Sequence, residues 1–122
     1  MGNTLGEFIL TLLHAATNTH LLHLRSRTLA EHKPLGEFYQ KLPDLVDALV
    51  ESMQGRYLQL ISYPVSYYPP TENGLEELTH LMEYVDQTRH SEGIPQDSEI
   101  QNAIDEIATL INSTRYQLNF LK

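Results

Sequence analysis

Apolar side chains recur at three- and four-residue steps along most of this chain, and prolines and glycines break that rhythm into four stretches. A chain patterned this way can bury its apolar stripes only by packing helix on helix. From Leu5 the stripe Phe8, Ile9, Leu12, Leu13, Ala16 and Leu24 predicts a first helix to about Arg25. Leu35, Phe38, Leu42, Leu45, Val46, Leu49 and Met53 predict a second, ending near Gly55, with a kink where Pro43 removes a backbone donor. Its start is open between a Thr28/Glu31 capping box and a first-turn role for Pro34. A third helix is expected from about Leu75 to Arg89, capped by Asn73 with Glu76 and Glu77 in the electropositive first turn. The fourth starts near Asp97 or Ser98 and carries Ile100, Ile104, Ile107, Leu110, Ile111, Leu118 and Leu121 to the chain end. The expected fold is all-α, a single four-helix bundle over residues 1–122 with a crossover between helices two and three.

That crossover, Arg56 to Asn73, is unusual. Pro64, Pro69 and Pro70 forbid a helix, while Tyr57, Leu58, Leu60, Ile61, Tyr63, Val65, Tyr67 and Tyr68 make it too apolar to stand free in water. A strap packed on its own bundle is the preferred expectation. The other is a subunit interface, where tyrosine suits both an apolar and a wet neighbour.

Sixteen acidic residues against eight Lys plus Arg leave a formal net charge of −8, which repels phosphate backbones and anionic membranes. No nucleic-acid or membrane partner is expected. The apolar run Phe8 to Ala16 is too short to span a bilayer, and no base precedes it, so a cytoplasmic location is expected. Met1-Gly2 opens like a myristoylation start, but Gly6 stands where Ser or Thr is required. No phosphate-binding glycine loop, zinc-binding His-Glu-x-x-His helix or nucleophile elbow occurs.

With no cysteine, any metal must be held by His, Asp and Glu. These concentrate in the first two helices: His14, His20, His23 and His32, then Glu37, Asp44, Asp47 and Glu51. His20 and His23, three apart, share a face that overlaps the apolar stripe and point toward something buried, where a hydrogen-bonded core histidine is the plain alternative to a ligand. His14 points the opposite way and is expected in solvent. Asp47 and Glu51, four apart, lie well off the apolar stripe, so they form either a solvated acidic face or half of a site completed by a neighbouring subunit. Imidazole with carboxylate suits iron, zinc or manganese.

The stretch from His20 through His23, His32, Gly36 and Glu37 to Asp47 and Glu51 resembles the Dps-type mini-ferritins. In that family two histidines of one subunit and an Asp and a Glu of its two-fold partner form a ferroxidase site. His20, His32, Asp47 and Glu51 fall on those positions without a gap. The middle acid of the pattern meets Gly36, with Glu37 adjacent, and the lysine-rich DNA-binding arm is missing, since Met1 to Phe8 contains no base. Residues 10–55 carry the likeness, with a weaker echo in Thr114-Arg115-Tyr116-Gln117-Leu118. The chain is also similar to small ferritin-like proteins encoded in bacteriophage genomes, which implies a phage-infected bacterium or a virion as its setting. The resemblance implies a ferritin-like bundle whose metal ligands are His20, His32, Asp47, Glu51 and Glu37. It implies that Fe(II), or another divalent metal, is oxidised by peroxide or oxygen, and that two-fold dimers assemble toward a dodecameric shell storing Fe(III). The alternative is a non-enzymatic structural or interaction protein, such as a phage-particle component, that keeps the bundle without full ferroxidase chemistry.

Overall fold

The computed structural model describes residues 3–122, so the Met1-Gly2 start lies outside the described residues. Among the described residues there are four helices: α1 (Asn3–Leu24), α2 (Leu29–Tyr57), α3 (Gly74–Thr88) and α4 (Ser98–Phe120). Among the described residues no strand occurs, and no helix is long and apolar enough to cross a membrane.

Local chemistry explains most of the helix ends. The Thr28 hydroxyl accepts the Glu31 N–H at 3.3 Å, so α2 starts at this cap and Pro34 falls in the second turn rather than the first. α2 runs unbroken through Pro43 and past Gly55, and stops only where Leu58 turns left-handed (φ 50°, ψ 46°) and its N–H bonds the Gln54 carbonyl. The Asn73 side chain caps α3 by accepting the Glu76 N–H at 2.9 Å. Asp97 occupies the cap position of α4 without capping it, because its carboxylate is taken by the Tyr57 hydroxyl and by Arg56 Nε at 2.9 Å.

The stripes meet in one core: Leu5, Phe8 and Leu12 from α1, Phe38, Leu42 and Leu49 from α2, Leu78 and Val85 from α3, Ile100, Ile104 and Ile107 from α4 are all fully buried. Helix α1 packs on α2 and α3, and α4 packs on the other sides of both, giving the ring order α1-α2-α4-α3. The start of α3 meets the start of α2, since a Cβ on Gly74 would touch the Leu35 side chain. The end of α2 meets the start of α4 through Tyr57 and Asp97. Every adjacent pair in the ring is therefore antiparallel, and α2 and α3, on the diagonal, run parallel. Parallel neighbours in sequence require a connection as long as the bundle.

Residues 58–73 make that connection, without helix or strand, lying along α1. Gly6 is what lets it pass: a Cβ there would sit 2.1 Å from the Ser62 carbonyl oxygen. Further on, Asn18 Nδ2 donates to the Tyr68 carbonyl at 3.0 Å, and Arg25 donates to the carbonyls of Thr71 and Glu72 at 3.0 and 2.9 Å. Ile61 is buried, whereas Leu58, Leu60, Val65 and Tyr67 are exposed. The strap is thus bound to its own bundle through its backbone while most of its large apolar side chains face outward.

Candidate functional site

The α1–α2 turn gathers three imidazoles and a phenol. His20, on the last turns of α1, lies flat on Tyr39 of α2 with ring centroids 4.0 Å apart and planes at 7°. His23 lies against His32 at 3.7 Å and 18°, and tilts toward Tyr39 at 5.3 Å. His23 Nδ1 bonds the His32 carbonyl at 2.6 Å, and His32 Nδ1 bonds the His23 carbonyl at 2.8 Å. A carbonyl can only accept, so each Nδ1 carries the proton, an orientation in which a ring with no second proton offers its lone pair at Nε2. This is the tautomer that a metal-binding histidine adopts when a backbone carbonyl orients it.

Gly36 explains how the rings fit. A Cβ at that position would stand 2.8 Å from His23 Cε1 and 3.1 Å from His23 Nδ1. The space that a side chain at position 36 would take is filled by the His23 imidazole. His20 and His32 are exposed and His23 is half-buried. The expectation that His20 and His23 point toward something buried is corrected: they pack on Tyr39 in the N-terminal half of α2, outside the apolar centre.

The acids lie elsewhere. Asp47 and Glu51 are exposed on α2. Asp47 is eight residues past Tyr39, about 12 Å along the axis at the helical rise. Glu37 lines a cleft with Lys33, Pro34, Gln117 and Leu121, on the side of α2 that faces α4. Among the described residues of one chain, no three His, Asp or Glu side chains stand close enough to hold a metal ion together. Exposed Leu21, Leu24 and Leu29 surround the histidines in sequence, an apolar border unusual for surface ligands.

A second polar feature escaped the sequence reading. A cavity of about 310 Å³ opens between α1, α3 and the strap, lined by Glu7, His14, Asn18, Tyr68, Glu77, His80 and Tyr84 among others. His14, expected in solvent, is half-buried on this wall, with Nδ1 bonded to the Leu10 carbonyl at 3.0 Å and Tyr67 and Tyr68 edge-on to its ring. Asn18 and Glu77 are among the few buried polar side chains of the fold. Burial raises the Tyr84 hydroxyl pKa above its ordinary range, partly offset by hydrogen bonding to Thr11 and Thr88.

Among known protein families, a family model described as a family of unknown function (DUF5856) matches residues 23–118. No curated protein and no solved structure matches. The matched stretch contains His23, His32, Glu37, Asp47 and Glu51, and leaves out His20.

Proposed function

We propose, for a chain that belongs to the DUF5856 family of unknown function, a ferritin-like role in which ferrous iron is bound and oxidised between two chains. His20 and His32 of one chain and Asp47 and Glu51 of the other would supply the donors. The observation carrying this reading is the ring lock of His23 and His32, which engages His32 Nδ1 on a backbone carbonyl and leaves Nε2 as the ring nitrogen free to bind a metal, in an exposed, apolar-bordered position. Asp47 stands apart from the histidines along α2, and no three such donors meet among the described residues of one chain, which supports a site completed by a second chain. Iron is substrate here. Two ferrous ions lose one electron each, and one peroxide accepts both electrons with two protons, leaving two waters. Glu37, aimed toward α4, would contribute only if α2 neighbours rearranged, so the working set is four residues.

The experiment uses two doubly substituted chains, one with His20→Ala and His32→Ala, the other with Asp47→Ala and Glu51→Ala. Each alone should oxidise Fe(II) poorly, because two donors compete weakly with water. A mixed dimer restores one complete site, so dissociation and reassembly of the mixture should recover part of the ferric absorbance rate. No recovery, with mixed oligomers shown by mass, refutes the shared site, and a scattering mass of one chain refutes it sooner.

A second reading is favoured by one observation. His23 occupies the space above Gly36 where a third ligand would enter, which suits a bundle kept for assembly rather than for oxidation. In that case reassembly occurs and neither mixture nor wild type oxidises iron.

A further inference from the structure

The cavity beside the strap is separate from the histidine lock and has its own chemistry. At about 310 Å³ it lies at the small end of ligand pockets. No Lys or Arg lines it; its ionisable walls are Glu7, Glu77, His14, His80, Tyr68 and Tyr84. Glu77 forms the floor, 9% exposed, with Oε1 accepting the Thr71 N–H at 2.8 Å and Oε2 accepting from Asn18 Nδ2 at 3.3 Å. Each carboxylate oxygen has a further lone pair to offer. Among the described ion pairs none involves Glu77, so this buried group has no cationic side chain to offset it. Glu7 stands exposed at the rim and accepts only a long bond from the Tyr68 hydroxyl, 3.4 Å.

Aromatic walls complete the space. His14 and Tyr68 meet at 86° with centroids 5.2 Å apart, forming a corner. Tyr84 is held from behind by the fully buried Phe8 at 6.1 Å. Two carboxylates with ring faces and no Lys or Arg complement an ammonium group, which gains Coulombic attraction from the acids and quadrupole attraction from the rings. An anion would meet repulsion from both acids. A wholly apolar ligand would strip water from Glu77 and Asn18 without replacing it. The net charge of −8 also favours cation approach.

We propose that this cavity binds a small organic amine, its ammonium group held between Glu7 and Glu77 against Tyr68 and Tyr84. The inference is independent of iron. Calorimetric titration of the whole chain with choline, with butylamine and with 3,3-dimethylbutan-1-ol, the uncharged isostere of choline, tests it. At least one amine should bind saturably, and the isostere about tenfold or more weakly than choline where choline binds, since loss of the charge removes the main attraction. Glu7→Gln lies on the surface and should leave the helical circular dichroism unchanged while weakening amine binding several-fold; Glu77→Gln should weaken it further. Absence of saturable binding by both amines up to about 10 mM, an affinity floor of only a few kcal/mol, overturns the proposal. Equal affinity for choline and its isostere, or wild-type affinity in both variants, overturns it as well.

Discussion

Substituting Gly36 by alanine sets two known effects against each other at the histidine lock. Alanine is favoured over glycine within a helix by about 1 kcal/mol, and Gly36 lies inside α2. Against that gain, the new Cβ would lie 2.8 Å from His23 Cε1, where ordinary contact begins near 3.4 Å. The ring cannot retreat freely, because its Nδ1 is bonded to the His32 carbonyl at 2.6 Å and its face is stacked on His32 at 3.7 Å. Overpacking of this kind costs about 1–3 kcal/mol, so Gly36→Ala should be destabilising or at best neutral, by about 0–2 kcal/mol net. With His23→Ala the obstruction is gone, and adding Gly36→Ala should then stabilise by up to about 1 kcal/mol. Urea unfolding followed by far-ultraviolet circular dichroism on the four proteins of this cycle gives the coupling, expected at about 1–3 kcal/mol. A coupling below about 0.5 kcal/mol, the usual scatter of independent sites, would refute the account of why glycine stands at this position.

Three further outcomes are expected. Gly55, with nothing within 4 Å of its would-be Cβ, should accept alanine with a gain of about 0.5–1 kcal/mol in urea melts, whereas Gly6→Ala, 2.1 Å from the Ser62 carbonyl oxygen, should destabilise and expose the 58–73 strap to limited proteolysis. The Tyr57 hydroxyl holds the Asp97 carboxyl below its ordinary range, with Arg56 assisting, and Asp97 in turn holds the Tyr57 hydroxyl above its own. The Asp97 contribution is present above the ordinary carboxylate range and lost as pH falls through its folded value, while that of Tyr57 is present below about pH 10 and lost as pH rises further. Stability measured against pH should therefore differ between wild type and Tyr57→Phe by a constant amount at neutral pH and converge at both extremes; a difference that does not shrink on acidification would refute the contact.

The helices were legible because periodicity and capping are local. Thr28 and Asn73 cap with a side chain three residues from the N–H they accept, so a short window of sequence contains the whole interaction. One end departed from its expected place. Gly55 looked like the stop of α2, yet nothing crowds or unwinds it, and the chain turns at Leu58 instead. α4 starts where it was expected, at Ser98, although the carboxylate of the preceding Asp97 is taken by Tyr57 and Arg56, forty and forty-one residues earlier, and does not cap it. The strap packs on its own bundle as expected, but through its backbone: the carbonyls of Tyr68, Thr71 and Glu72 bind the bundle while Leu60 and Val65 face out.

The same distinction governs the sites. His23 and His32 are nine residues apart across a turn, and their lock could not be read from spacing because each ring bonds the other's backbone rather than its side chain. The missing side chain at Gly36 was the only trace that a neighbour needed the room. The amine-type cavity left still less, since Glu7, Asn18, Tyr68, Glu77 and Tyr84 come from three separate segments with no shared period. Glu77 had a sufficient local explanation as an acid in the first turn of α3, facing the positive helix end. It becomes a buried, oriented carboxylate only because the strap must run the length of the bundle to join two parallel helices, and in doing so lays Thr71 and Tyr68 over it. The long crossover that makes the four-helix topology possible is thus also what closes the cavity, so a change that loosens the strap, such as Gly6→Ala, should weaken amine binding without touching any residue that lines the pocket.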